Sequence, residues 1–181
     1  MEKQLTELSR FLSYVLRHKP QALELAMSED GWVSVDELIQ NANRHGKSIT
    51  VEILQTIVSA DDKQRYSFNA DKTKIRANQG HSVAIDLKLQ PQMPPEFLYH
   101  GTAGRNGDSI AESGLLKQQR HHVHLSQDQQ TAKQVGARYG KPMVLTVLAG
   151  EMARKGFVFY KSDNDVWLTD KVPPEFIRFP K

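Results

Sequence analysis

The residues whose types suggest chemistry are concentrated between positions 120 and 126, where the chain reads Arg-His-His-Val-His-Leu-Ser. Alternation with a period of two would place His122 and His124 on one face of a strand, with Val123 and Leu125 on the other. One face would then be buried, while the other would line something polar. We therefore interpret this segment as one edge of a functional site.

Two chemistries fit this segment. Imidazole is a common metal ligand, so His122 and His124 could bind a metal together with His100. Against this, no carboxylate lies at a recognisable ligand spacing, and the charge of Arg120 would oppose a bound dication. The alternative is a pocket for an anion, since arginine offers forked donors that match phosphate, and histidine and serine add further contacts. We favour the anion site and expect no metal.

The familiar phosphate-binding and hydrolase patterns are absent from the sequence. It contains no GxxxxGK[ST] loop, no GxGxxG turn and no GxSxG segment. Zero cysteines exclude disulfides, thiolate metal sites and cysteine nucleophiles. Composition and spacing alone therefore predict an arginine-rich site that handles phosphate, without specifying the reaction.

Length and charge set further limits. A chain of 181 residues fits one domain or two small lobes. No apolar run approaches the roughly 18 residues of a membrane span, and the N-terminus does not resemble a signal peptide, so we expect a cytoplasmic protein without membrane contact. Acidic and basic residues balance over the first 90 positions, and the net charge of +3 arises in the second half. Particular arginines, rather than a general field, would have to hold a phosphate. We expect a monomer, because no long apolar stripe is left over.

The first half of the chain has the element order of a winged-helix domain, three helices followed by a β-hairpin. Residues 5–18 carry apolar side chains at helical spacing, and this helix ends before Pro20. Ser34 begins a capping box for a second helix, and Thr50 can cap a third. The segment 65–77 predicts two short strands joined by a turn. This architecture often binds nucleic acid, although a fold alone does not license a function.

The second half is predicted to be a separate lobe. Residues 88–96 read KLQPQMPPE, with three prolines and no periodicity, so we predict a linker at 89–95 between lobes of 1–88 and 96–181. Short strands with one or two helices indicate an α+β lobe with a mixed or antiparallel sheet. We expect Ser126 to be the N-cap of the helix after the histidine segment.

Four segments in this order resemble the RNA 2′-phosphotransferase (tRNA 2′-phosphotransferase) family: LSRFLSYVLRH, DDKQRYSF, IRANQGHS, and LYHGT with RHHVHLS. The resemblance spans essentially the whole chain, and the ordered set is far more specific than any single motif. It implies an N-terminal winged-helix lobe that binds RNA, joined to a C-terminal ADP-ribosyltransferase-like lobe that binds NAD⁺.

The resemblance also implies a two-step reaction in which NAD⁺ is a co-substrate. The family removes an internal RNA 2′-phosphate, left at a splice junction by RNA ligation. The 2′-phosphate first attacks the anomeric carbon of the nicotinamide ribose, so that nicotinamide leaves and ADP-ribosylated RNA forms. The ribose 2″-hydroxyl then attacks the phosphate, releasing RNA with a free 2′-hydroxyl and ADP-ribose 1″,2″-cyclic phosphate.

The resemblance assigns site residues in three groups. The catalytic constellation of the family falls on Arg17, His18, Arg65 and Arg120. The first two would mainly hold the RNA phosphate, and the last two would mainly serve the transesterification. The implied NAD⁺-binding residues are His100, Gly101, Thr102, His122, His124 and Ser126. The expected substrate-binding residues are Gln79, Gly80, His81, Ser82 and, as an auxiliary, Arg76.

Two alternatives belong to other functional classes. A related transferase could ADP-ribosylate nucleic-acid phosphate ends or a protein without removing phosphate, and it could dispense with Arg17 and His18. A non-catalytic RNA-binding module would leave the polar residues of the second lobe unexplained. Formation of cyclic ADP-ribose phosphate from NAD⁺ and a 2′-phosphorylated oligonucleotide separates the three.

Overall fold

The protein, described over residues 1–181 by a computed structural model, combines helices with small antiparallel sheets. The structure thus confirms the prediction that the chain combines helices and strands. Contacts divide the chain into two compact units, Met1–Lys88 and Leu89–Lys181, and each has its own hydrophobic core. None of the helices combines the length and the apolar character that a membrane crossing requires.

The N-terminal unit consists of three helices and a three-stranded antiparallel sheet of order β1-β3-β2. The helices are α1 (Glu2–Arg17), α2 (Val35–Arg44) and α3 (Val51–Ser59), with a short 3₁₀ helix at Pro20–Leu23 after α1. The strands are β1 (Val33–Ser34), β2 (Tyr66–Phe68) and β3 (Lys74–Ala77).

Local side-chain chemistry determines where these helices begin. Ser34 Oγ accepts a hydrogen bond from the Glu37 amide at 3.3 Å, and Thr50 Oγ1 accepts one from the Ile53 amide at 3.2 Å. Both predicted N-caps are thereby confirmed, since each satisfies an amide that the first helical turn leaves without a backbone partner. Helix α1 starts earlier than predicted and buries Leu8, Leu12, Val15 and Leu16 along one stripe.

The C-terminal unit contains two three-stranded sheets, of order β11-β7-β4 and β6-β9-β8, and a two-stranded pair, β10-β5, all antiparallel. Its strands are β4 (Leu98–Ala103), β5 (Leu115–Leu116), β6 (Val123–Leu125), β7 (Pro142–Val147), β8 (Phe159–Lys161), β9 (Trp167–Thr169), β10 (Lys171–Val172) and β11 (Ile177–Arg178). Its helices are α4 (Gly107–Ser113), α5 (Gln129–Gly136) and α6 (Ala149–Arg154).

Ser126 joins two sheets and does not cap a helix, so that prediction is wrong. Asp128 is the N-cap of α5 and accepts a hydrogen bond from the Thr131 amide at 2.7 Å. Ser126 instead exchanges two backbone hydrogen bonds with Tyr99, at 2.8 and 2.7 Å, which connect the end of β6 to β4. Helix α6 follows β7 after a single residue, so this unit has three α-helices where one or two are predicted.

Strand β6 is shorter than the polar segment that contains it. It covers only Val123–Leu125, where Val123 and Leu125 are buried and His124 is partly buried. The predicted alternation therefore holds over these three residues. His122 precedes the strand and contacts the Tyr160 ring, with the ring centroids 5.5 Å apart.

Helix α5 packs on β4 at a point where both backbones must come very close. A Cβ atom added to Gly101 would lie 1.6 Å from the Ala132 carbonyl oxygen, and one added to Gly136 would lie 2.8 Å from the Thr102 carbonyl oxygen. Such distances are incompatible with any side chain, so this contact requires glycine at both positions.

Replacing Gly101 with alanine should destabilise the C-terminal unit by about 3 kcal/mol or more, the upper end of overpacking costs, because the added methyl group would overlap the α5 backbone. Chemical denaturation measures this. The matched control is Gly104→Ala, because a Cβ at Gly104 has the Lys141 carbonyl oxygen as its nearest neighbour at 3.8 Å. Equal denaturation midpoints for the two variants would contradict the packing described.

Candidate functional site

Four of the predicted residues in the N-terminal unit lie together at the end of α1. Arg17 is the last helical residue and His18 is its C-cap. Nδ1 of His18 lies 2.9 Å from Oγ of Ser82, and the Ser82 amide donates a hydrogen bond to the Arg17 carbonyl at 2.9 Å. A Cβ at Gly80 would lie 3.4 Å from Nε of Arg17. The structure thus places the Gly80–Ser82 segment against the Arg17–His18 pair.

Arg65 is held by a carboxylate that the sequence analysis did not single out. Its backbone amide donates to Oδ2 of Asp61 at 2.7 Å, and its guanidinium forms an ion pair with Oδ1 of the same residue. The Asp61 side chain is only 6% exposed. The Asn78 amide donates to the Arg65 carbonyl at 2.8 Å, which ties Arg65 to the chain just before Gln79. The one feature of the sequence that could have indicated this ion pair is the position of Asp61, four residues before Arg65.

The other three predicted substrate-binding residues have different surroundings. Arg76 lies over the Trp32 ring, with its guanidinium carbon 4.6 Å from the ring centroid, and donates to the Asp30 carbonyl at 3.3 Å. His81 is buried, with 2% of its surface exposed. The Gln79 side-chain oxygen is also buried and accepts no hydrogen bond within the chain.

In the C-terminal unit the structure brings His100, His124 and Arg120 together. His100 Nδ1 lies 3.0 Å from the His124 carbonyl oxygen, and Nη1 of Arg120 lies 3.2 Å from His124 Nδ1. A carbonyl can only accept and a guanidinium can only donate, so the His100 Nδ1 carries a hydrogen and the His124 Nδ1 carries none. The neutral His100 ring thus offers Nε2 as an acceptor, whereas His124 has its ring hydrogen on Nε2.

The surroundings of His100 favour its neutral form. Burial lowers the pKa of His100 below its ordinary value of 6.5, and the positive charge of Arg120 lowers it further. The hydrogen bond to the His124 carbonyl opposes this shift without reversing it. Burial also lowers the pKa of His122, and the charges of His121 and Lys117 act in the same direction.

Of the remaining predicted cofactor-binding residues, Gly101 and Thr102 lie on β4, and Ser126 directly follows β6. Gly101 lies beneath α5, next to His100 in the chain. Thr102 is buried, and its hydroxyl accepts a hydrogen bond from the side-chain Nδ2 of Asn106 at 3.0 Å. Ser126 is engaged through its backbone with Tyr99. These contacts position the backbone around His100 and His124.

The histidine segment forms no metal-binding cluster. Nowhere in the chain are three or more histidine, aspartate or glutamate side chains grouped so that they could hold a metal ion.

Comparison with known proteins shows that the chain is similar to a family of transferases over nearly its whole length. A family model described as "RNA 2′-phosphotransferase, Tpt1 / KptA family" matches residues 3–171. A protein from Flavobacterium johnsoniae is 51% identical over 172 residues, which cover 95% of this chain and 94% of its own. A protein from Nostoc punctiforme is 50% identical over 177 residues, 98% of each chain. One from Escherichia coli O45:K1 is 48% identical over 180 residues, covering 99% of this chain and 93% of its own.

All three relatives carry the name "Probable RNA 2′-phosphotransferase". The chain therefore belongs to the RNA 2′-phosphotransferase, Tpt1/KptA family. The family resemblance that the four sequence segments indicated is confirmed.

The lowered pKa of His100 has a measurable consequence. In an NMR titration the midpoint for protonation of its ring should lie below pH 6.5, and it should rise in Arg120→Ala because the opposing charge is gone. The unfolded chain binds this proton at higher pH than the folded chain does. Stability from His100 is therefore complete above pH 6.5 and is lost as the pH falls towards its folded pKa.

The control for this titration is His100→Gln, which should remove that component of the acid-induced loss of stability. A wild-type midpoint at or above 6.5 would show that burial does not govern this ring.

Proposed function

We propose that the protein removes a 2′-phosphate from RNA by transferring it to NAD⁺ through an ADP-ribosylated RNA intermediate. The observation that carries this proposal is the family match over residues 3–171, within which all four residues of the catalytic constellation are present. We further propose that the N-terminal unit is the winged-helix, RNA-binding part and that the C-terminal unit is the ADP-ribosyltransferase-like part.

The element order of the N-terminal unit supports its proposed role. Three helices precede an antiparallel hairpin, β2 with β3, and β1 completes the small sheet. Arg17 and His18 lie at the C-terminal end of α1, where the helix dipole stabilises positive charge. Arginine presents several donors in one plane that match phosphate oxygens. We therefore assign Arg17 and His18 to binding of the RNA phosphate.

Asp61 fixes the orientation of Arg65 and leaves some of its guanidinium N–H donors available for a ligand. Asp61 engages the backbone amide of Arg65 and one of its guanidinium nitrogens. A guanidinium has five N–H donors, so this ion pair leaves others for a phosphate. A carboxylate that fixes the arginine in advance lowers the cost of ordering it when the substrate binds.

The residues around His100 suit the ribose and the charge of NAD⁺. An acceptor nitrogen on a neutral His100 can receive a hydrogen bond from a ribose hydroxyl. A neutral imidazole also avoids repelling the positively charged nicotinamide ring. NAD⁺ supplies the electrophilic anomeric carbon and the hydroxyl that later displaces the RNA. The chain supplies positioning and a charged group, Arg120, beside His124.

The two steps make different demands on these residues. The first joins a dianionic phosphate to a carbon whose leaving group is already cationic, so it depends on positioning more than on proton transfer. The second concentrates negative charge on a phosphodiester-like centre, where preorganised arginines stabilise the transition state. We assign this second role mainly to Arg65 and Arg120.

Replacing Arg65 or Arg120 with alanine should therefore let ADP-ribosylated RNA accumulate, with the second step slowed about 10²- to 10³-fold, as expected when one electrostatic donor is removed. The assay follows radiolabelled 2′-phosphorylated RNA and NAD⁺ through intermediate and product. Arg138→Ala is the control, because Arg138 is exposed in the turn after α5. Undiminished product without intermediate would refute the assignment, and an intermediate that the wild type never resolves would favour simple ADP-ribosylation.

A further inference from the structure

The carbonyl of Arg17, the last residue of α1, is bound by a distant segment of the chain. The last carbonyls of a helix lack partners within the helix. The Arg17 carbonyl accepts hydrogen bonds from the Ser82 amide at 2.9 Å and from the Val83 amide at 3.4 Å. The backbone that carries Arg17 is therefore held from a position 65 residues further along the chain.

The same segment runs along the Arg17 side chain. Gly80 has a φ of +87°, a conformation that favours glycine. A Cβ at Gly80 would lie 3.4 to 3.6 Å from Nε, Cζ and Cδ of Arg17, so the arginine stem and guanidinium pass within contact distance of the Gly80 backbone. Residues 80–83 thus contact both the main chain and the side chain of Arg17.

Ser82 makes a third contact, to the ring of His18, with its Oγ 2.9 Å from Nδ1. A hydroxyl can donate or accept, so it can satisfy Nδ1 in either charge state of the ring. Through this contact to Nδ1, Ser82 can fix the orientation of the ring whichever tautomer the ring adopts.

We propose that Ser82 is a positioning residue that orients the His18 ring through the contact of its hydroxyl with Nδ1. Whereas the sequence led us to expect that Ser82 contacts the substrate itself, in this proposal it influences substrate binding by orienting His18. The inference rests on the proposed function, in which His18 holds the RNA phosphate.

The Ser82→Ala variant isolates the hydroxyl, since its backbone amide still donates to Arg17. Ser82→Thr restores a hydroxyl at the same position. Ser59→Ala is the matched control, because Ser59 is an exposed helical serine whose hydroxyl donates to the Thr56 carbonyl at 3.2 Å. Thermal unfolding of each variant verifies that it is folded.

The first measurement is ¹⁵N NMR of the His18 ring in the protein without RNA or NAD⁺. We expect closely similar ring-nitrogen shifts in the wild type, Ser82→Thr and Ser59→Ala. In Ser82→Ala the Nδ1 shift should change, because the hydroxyl that contacts this nitrogen is gone. Unchanged His18 shifts in Ser82→Ala would overturn the proposal whatever the activity.

The second measurement is kcat/KM with NAD⁺ and an oligoribonucleotide that carries one internal 2′-phosphate. Ser82→Ala should lower kcat/KM roughly 5- to 10-fold, the effect of one lost hydrogen bond of ordinary strength, and Ser82→Thr should restore most of it. A Ser82→Ala enzyme with altered His18 shifts and undiminished kcat/KM would also overturn the proposal. If the wild-type protein transfers no phosphate, the proposed function fails, and the NMR comparison still decides whether Ser82 controls the His18 ring.

Discussion

The pair of backbone hydrogen bonds between Tyr99 and Ser126 is the interaction on which the C-terminal group of site residues depends. It joins β4 to the end of β6, and the His100 ring can then reach the His124 carbonyl. Helix α5 packs on one face of β4, against Gly101. Because side chains alternate along a strand, His100 lies on the face opposite to α5. The hydrogen bonds at the edge of β4 and the packing of α5 on its face therefore determine where this ring points.

The N-terminal group follows the same physical rule with different elements. Arg17 and His18 end a helix, where positive charge is favourable and where unpaired carbonyls need donors. The Ser82 amide meets that need and brings its hydroxyl to His18. On our proposal, one residue thus meets a backbone requirement of the fold and orients the His18 ring.

The parts of the structure that the sequence predicts are those determined within a few residues. The caps at Ser34 and Thr50 are correct because each serves an amide three positions away. Ser126 misleads because Asp128 competes two residues later and because its own backbone is engaged by distant Tyr99. The pairing of Asp61 with Arg65 is not predictable from the sequence for a related reason: only the folded chain shows that the Asp61 carboxylate is nearly buried. Residue types reveal candidate groups, whereas tertiary contacts decide their partners.

The two arginines assigned to the second step are held by partners of different charge. Arg65 is paired with a carboxylate, which fixes its orientation but offsets part of its charge. Arg120 is paired with an imidazole nitrogen that must be unprotonated to accept, so it keeps its full charge. The two partners therefore act differently: Asp61 fixes Arg65 and offsets part of its charge, whereas His124 fixes Arg120 without an opposing charge.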